Sequence, residues 1–289
     1  MKILVAIDGS TQSSDAIQAL AHFGPAENIT LVHALHLPDL DHPMITPKLR
    51  DELLKEVEEQ HRQEGERLLS DAKKKLPKNV SQVDIILQVG SPSHVILETA
   101  QSAHPDLIMM GARGLGPIKE QLLGSVSHRV LLHAPCSVFI LKGPLAPVRH
   151  ILIPVEGQDD ADSLLAFLRL MTFARPVRIT IMTVWPQPQL PWPITIGESD
   201  LLEERALEHA QDRVERIAEQ LDKTEFKTDT VIGLGDPAYA ILEQAKAMKV
   251  DLIMVGSHSR TGISRFLLGS VSHTLVHQSA CPVMVIRQP

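Results

Sequence analysis

The stretch that decides the fold is GARGLGPIKEQLLGSVSHRV, Gly111 to Val130, which follows the apolar run Asp106-Leu-Ile-Met-Met110. A short β-rich run leaves through glycines at 111, 114, 116 and 124 and then enters an apolar, helix-like segment. Glycine is the residue of choice where the backbone turns tightly or must let another group approach. A strand, a glycine-rich turn and a helix start in that order belong to the α/β class, in which ligands sit beyond the carboxyl ends of parallel strands.

The chain repeats this stretch. Gly256 to Leu275 reads GSHSRTGISRFLLGSVSHTL and follows Asp251-Leu-Ile-Met-Val255, so a shift of 145 carries Gly111 onto Gly256, Ser125 onto Ser270 and Cys136 onto Cys281. Pairing residues 90–140 with 235–285 without gaps gives 21 identities in 51 pairs. That is an internal duplication, and two copies make a pair of domains, since a solenoid needs at least three stacked repeats.

Around the repeated stretch, each half alternates β-branched runs with amphipathic ones, the pattern of a parallel sheet with helices on both faces. In the first half the strands are expected near Lys2 to Ile7, Ile29 to Ala34, Val83 to Val89, Leu107 to Met110 and Ser137 to Leu141. Helices are expected near Ser13 to His22, Pro47 to Leu76, Ser93 to Ala103 and Gly124 to His133. Strands of the second half fall near His150 to Val155, Val177 to Val184, Thr228 to Ile232, Leu252 to Val255 and Pro282 to Ile286, with a long helix from Glu198 to Leu221. Two prolines in Gly143-Pro-Leu-Ala-Pro147 mark a linker, which gives domains at 1–143 and 148–289. Pro186-Gln-Pro-Gln-Leu-Pro-Trp-Pro193 reads as a stiff connection ahead of the long helix.

Bulk properties narrow the function. Of 289 residues, only 3% are aromatic and the net charge is -7, so platforms for stacking bases are scarce and nucleic acid is a disfavoured partner. The lone basic run, Lys73-Lys74-Lys75, is answered by acids upstream. No apolar run approaches the roughly 20 residues that cross a bilayer, and Met1-Lys2 leads straight into a strand, so the chain reads as soluble and cytosolic. Two cysteines are too few for a disulfide scaffold. Cys136 and Cys281 are expected as small buried thiols, and His133, His277 and the cysteines lack the spacing of a closed four-ligand metal site.

A glycine turn feeding a helix N-terminus describes a phosphate cradle, because the first amides of a helix are unpaired and carry partial positive charge. The spacing is neither GxxxxGK[ST] nor GxGxxG. Read as Gly-x2-Gly-x9-Gly-Ser, it resembles the nucleotide-binding motif of the universal stress protein family. The resemblance extends to Ile3-Leu-Val-Ala-Ile-Asp-Gly-Ser10, the GSP and GDP turns at Gly90 and Gly235, and both LLGSVSH helix starts. It implies a tandem protein of two Rossmann-like domains, of the adenine nucleotide alpha hydrolase-like kind. Each would be a five-stranded parallel sheet ordered 3-2-1-4-5, and the two would pair through their last strands as a pseudo-dimer able to homodimerise.

The same resemblance implies an ATP site, with or without Mg2+, in the first half. Asp8 would accept from the ribose hydroxyls, Ala6 and Ala34 would border the adenine, and Met110 would pack the base. Backbone N–H groups of Gly111, Arg113, Gly114, Gly124, Ser125 and Val126 would hold the phosphates, with the hydroxyls of Ser125 and Ser127 as donors and Arg113 adding charge. The competing structural expectation is that Asp8-Gly-Ser-Thr11 merely caps the first helix.

In the second half the equivalents are Pro154, Glu156, Val184, Val255, Gly256, His258, Gly269, Ser270, Val271 and Ser272. Glu156 replaces the Asp and Ser259 the second glycine, so this site is expected to be altered, with Gly262 able to relax the loop. The implied role is a stress-response nucleotide sensor with an unidentified protein partner. Two alternatives stand beside it: a slow ATPase or autokinase, for which the sequence offers no base next to Ser125 or Ser127, and a nucleotide-free adaptor.

Overall fold

A computed structural model describes residues 1–41, 44–114, 123–186, 196–222, 226–257 and 268–287. The chain divides into two units, Met1–Pro144 and Leu145–Gln288, each built on five parallel strands. Residues 187–195, which hold most of the proline-dense connection, and residues 258–267, which hold His258, Ser259 and Gly262, lie outside the described residues, as does Gly116.

In the first unit the order is β1 (Lys2–Ala6), α1 (Thr11–Ala19), β2 (Asn28–Leu35), α2 (Pro47–Lys74), β3 (Gln82–Val89), α3 (Pro92–Ala103), β4 (Leu107–Gly111), α4 (Ser125–His133) and β5 (Ser137–Leu141). The strands lie in the order β3-β2-β1-β4-β5, every pair parallel. The second unit repeats it with β6 (His150–Pro154), α5 (Gln158–Leu170), β7 (Arg178–Trp185), α6 (Ile196–Asp222), β8 (Lys227–Leu234), α7 (Pro237–Met248), β9 (Leu252–Gly256), α8 (Ser270–Gln278) and β10 (Val283–Ile286). Its order is β8-β7-β6-β9-β10, again all parallel.

The central strands are apolar along their whole length because helices cover both of their faces. Leu4, Val5, Ile29, Leu31, Ile108 and Met109 are sealed in the first sheet, and Ile151, Leu152, Ile253 and Met254 in the second. The DLIM repeats begin with an acid for a structural reason. Asp106 Oδ2 accepts the N–H of Lys2 at 2.7 Å, and Asp251 Oδ2 accepts those of Arg149 and His150 at 2.8 and 3.0 Å, so each carboxylate aligns the first strand of its unit with the fourth.

Local chemistry sets the helix ends. Pro92 and Pro237 occupy the first turns of α3 and α7, where a missing N–H costs nothing. The turns before them use Gly90 at φ +155 and Gly235 at φ +95, a region open to glycine. The two helices end alike, on left-handed His104 and Lys249. First-helix capping falls to Ser10, whose Oγ accepts the Ser13 N–H at 3.1 Å. The helix expected from Ser13 to His22 starts earlier, at Thr11, and closes in a 3-10 turn over Leu20–His22. Among the described residues, no helix is long and apolar enough to cross a membrane.

Candidate functional site

Strand β1 pairs with β2 on one side and β4 on the other, so the chain leaves the sheet in opposite directions from neighbouring strands. The crevice that this switch opens at the carboxyl ends is where ligands bind in such sheets. A cleft of about 480 Å³ occupies it, within the roughly 300–1,000 Å³ of small-molecule sites. All eleven first-half positions singled out from the sequence line this cleft: Ala6, Asp8, Ala34, Met110, Gly111, Arg113, Gly114, Gly124, Ser125, Val126 and Ser127.

The cleft has two chemically distinct ends. Ala6, Val32, Ala34, Ile96 and Met110 make an apolar slot, and His33 joins them with its Nδ1 at 2.7 Å from the Ile7 carbonyl. A carbonyl only accepts, so Nδ1 of that imidazole carries the proton. At the other end α4 starts at Gly124, which supplies no capping side chain, so the amides of Ser125, Val126 and Ser127 have no acceptor within the helix. Between the ends stands Asp8. Its Oδ1 accepts the Ser10 N–H at 3.0 Å and the Ser10 hydroxyl at 2.6 Å, which ties it to the α1 cap without making it the cap. Its Oδ2 faces Gly114, where a Cβ would overlap that oxygen.

Some expected donors are already engaged. Arg113 N–H donates to Gln12 Oε1 at 2.7 Å, and Gly124 N–H donates to the Ala112 carbonyl at 2.8 Å. The Ser127 hydroxyl, nearly sealed, donates its only proton to the Gly111 carbonyl at 2.9 Å. These groups shape the turn, and the α4 amides face the cleft. Sequence reasoning missed His33, His36 and Pro92 in the lining, and Gln12 as the clamp on Arg113. Gln12 sits so close to β4 that a Cβ on Gly111 would come within 2.7 Å of its own Cβ.

The second unit holds a cleft of about 880 Å³ in the corresponding place. Pro154, Glu156, Val184, Val255, Gly256, Gly269, Ser270, Val271 and Ser272 all line it, and His258 lies outside the described residues. Gly269 starts α8 with no capping side chain, and Ser272 donates to the Gly256 carbonyl at 2.6 Å, as in the first unit. Pro237 and Ile241 repeat Pro92 and Ile96 of the first cleft, while Trp185, His209, Arg213 and Asp160 set the second lining apart.

Asp160 is the main electrostatic departure. Its Oδ2 accepts the Glu156 N–H at 3.2 Å, while its Oδ1 lies against the α-carbon of Gly256, where a Cβ would strike it. Burial, joined by the nearby Glu156 carboxylate and opposed by the Glu156 N–H, pushes its carboxyl up to about 6. Arg213 Nη1 grips the same loop, donating to the Glu156 carbonyl at 3.2 Å. Cys136 and Cys281 are only partly buried, against the expectation of enclosed thiols, and line neither cleft.

Comparison with known proteins agrees with this architecture. The profile of the universal stress protein family matches residues 1–142 and again 147–287. The universal stress protein YxiE of Bacillus subtilis is 32% identical over 145 residues, which is 49% of this chain and 98% of that protein. Universal stress protein Rv2005c of Mycobacterium tuberculosis is 26% identical over 298 residues, covering 99% of this chain and 97% of its own. A universal stress protein from Archaeoglobus fulgidus shares the fold with a TM-score of 0.65 at 20% identity, over 99% of this chain and 96% of that one. The two family matches span nearly every residue, so the chain belongs to the universal stress protein family and carries two copies of its domain in tandem.

Proposed function

We propose that this protein binds ATP in its first cleft and acts as a regulatory nucleotide sensor, with a second cleft altered in its ligand preference. The observation that carries this reading is the convergence of all eleven first-half positions on one crevice with an apolar slot at one end and an uncapped helix N-terminus at the other. Those two ends match a base and a phosphate tail. Asp8, fixed by two bonds to Ser10, stands between them as an acceptor for ribose hydroxyls. The close passage of Gly114 over Asp8 explains why a side chain is excluded there. Bound in this way, the nucleotide bridges α1, β4 and α4, so it stabilises one arrangement of the turn after β4.

Native mass spectrometry of the full chain with and without Mg-ATP, counting ligand copies per chain, tests the reading. One copy at neutral pH, lost in Asp8→Ala protein, is expected. No copies on folded protein would reject nucleotide sensing and leave a nucleotide-free adaptor.

A further inference from the structure

Building on the nucleotide reading above, we propose that the second cleft accepts the phosphate of an adenine nucleotide only together with a proton on Asp160. Asp160 is then the residue that sets its specificity and makes its occupancy depend on pH, while the first cleft does not share this dependence.

The cradle of the second cleft is Gly256 at the end of β9 and the uncapped start of α8 at Gly269. Asp160 Oδ1 lies against the Gly256 α-carbon, inside that cradle, and its Oδ2 is held by the Glu156 N–H. One carboxylate oxygen is therefore fixed where a phosphate oxygen has to come. Ionised, it repels the phosphate. Protonated, it becomes an O–H donor to the phosphate.

The first unit places an uncharged group at this point. Gln12 stands six residues beyond Ala6 at the end of β1, as Asp160 stands six beyond Pro154 at the end of β6, and each packs on the glycine that ends the fourth strand. Gln12 Oε1 is neutral and taken up by the Arg113 N–H.

Among the described residues, no cation is one of the groups that act on Asp160. Glu156, on the same loop, acts on it directly and favours the protonated form. From α6, His209 and Arg213 line the cleft, and Arg213 is turned to the Glu156 carbonyl. On its own helix the neighbouring acids are Asp159 and Asp162. Against α5, β9 carries no ionisable residue from Leu252 to Gly256, and past β10 stands the buried Arg287. The first turn of α8, Ser270 to Ser272, carries none. With the carboxyl poised near 6, each nucleotide bound above that pH takes up one proton from solvent.

A second feature marks this cleft as a ligand site. Trp185 lines it with its indole Nε1 buried and, among the described residues, without an acceptor, a state that buried donors seldom keep. The chain has two tryptophans, Trp185 and Trp192, so Trp192→Phe protein leaves Trp185 as the only tryptophan reporting on this cleft.

The test is a tryptophan-fluorescence titration of full-length Trp192→Phe protein with Mg-ATP at pH 5.5, 6.5 and 7.5, with and without Asp160→Asn. Asparagine keeps an acceptor for the Glu156 N–H, and circular dichroism checks the fold. With Asp160 in place, the Kd is expected to rise about 25-fold from pH 5.5 to 7.5 for a group titrating near 6, beyond any change in the Asp160→Asn protein. Titration of the ligand itself is common to both proteins and cancels in their ratio. Equal pH profiles in the two proteins, with saturable binding, would overturn the proton gate and leave nucleotide occupancy standing. No saturable change in either protein at any pH would overturn the occupancy and the gate with it.

Discussion

Replacing Gly114 with alanine tests the contact that most directly joins the β4 turn to the carboxylate expected to read the ribose. A Cβ at this position would overlap Asp8 Oδ2, and Asp8 has little freedom to withdraw. Its other oxygen is bound by the Ser10 N–H at 3.0 Å and the Ser10 hydroxyl at 2.6 Å, and Ser10 is itself the cap of α1. To make room, the carboxylate gives up one of those bonds or the turn moves off it. A hydrogen bond to a charged group contributes about 1.5–3 kcal/mol, so Gly114→Ala is expected to destabilise the first unit by about 2 kcal/mol. For a unit of this size that is a fall of roughly 4–8 °C in Tm. The decisive comparison is a double-mutant cycle read by thermal and urea unfolding without ligand. In an Asp8→Ala background the overlapping oxygen is gone, so Gly114→Ala should then cost less than about 0.5 kcal/mol, leaving a coupling near 1.5 kcal/mol. Equal costs of Gly114→Ala in both backgrounds would refute the idea that this glycine is required by Asp8.

Three further outcomes follow from the same geometry. Asp160→Asn should stabilise the second unit, and the sign is fixed by the direction of the shift: between 3.8 and about 6 the native carboxyl holds a proton that the unfolded one has lost, so stability falls as pH rises through that window. Discounted for partial exposure, the gain is about 2 kcal/mol above pH 7 and vanishes below about pH 4, read as the difference between urea unfolding curves across pH. Ser127→Ala and Ser272→Ala should each cost about 1–2 kcal/mol, because each leaves a glycine carbonyl at the end of its fourth strand without its hydroxyl donor, and unchanged urea midpoints would count against that role. Gln12→Asp should transplant the second cleft's character, weakening Mg-ATP binding to the first cleft at pH 7.5 more than at pH 5.5 in calorimetric titrations.

The sheets were legible because their middle strands are buried on both faces and so read as unbroken apolar runs. At the edges the signal weakens. Ile85 and Val89 on β3 and Leu234 on β8 are exposed, and there the boundaries fall outside those expected, at Gln82 and at Lys227–Leu234. The order of the strands came from family resemblance, since periodicity says which runs are strands and not which are neighbours. In the same way the motif found the residues lining the clefts, but not which of their donors are spent. Ser127 and Gly124 carry the right groups in the right place, and only the fold shows that the Ser127 hydroxyl and the Gly124 N–H are used to close the turn on Gly111 and Ala112.

Asp160 shows why one part of the difference between the clefts stayed hidden. At the shift of 145 that aligns the repeated glycine stretch, Asp160 falls opposite Asp15, an apparent identity that invites no comment. The first strands align differently, since Lys2 corresponds to His150, a shift of 148, and that register sets Asp160 opposite Gln12. The connections between the first strand and the third differ in length between the halves, so no single register serves both ends of the domain. Which side chain touches the cradle glycine is then decided by the packing of α1 on β4 and of α5 on β9, a contact between residues about a hundred positions apart. There the two halves differ by a neutral amide against a carboxyl held near 6, a change that the matching GSVSH helix starts do not disclose. Duplication preserved the cradle and the fold that makes it, and the divergence in charge lies on the helix facing it.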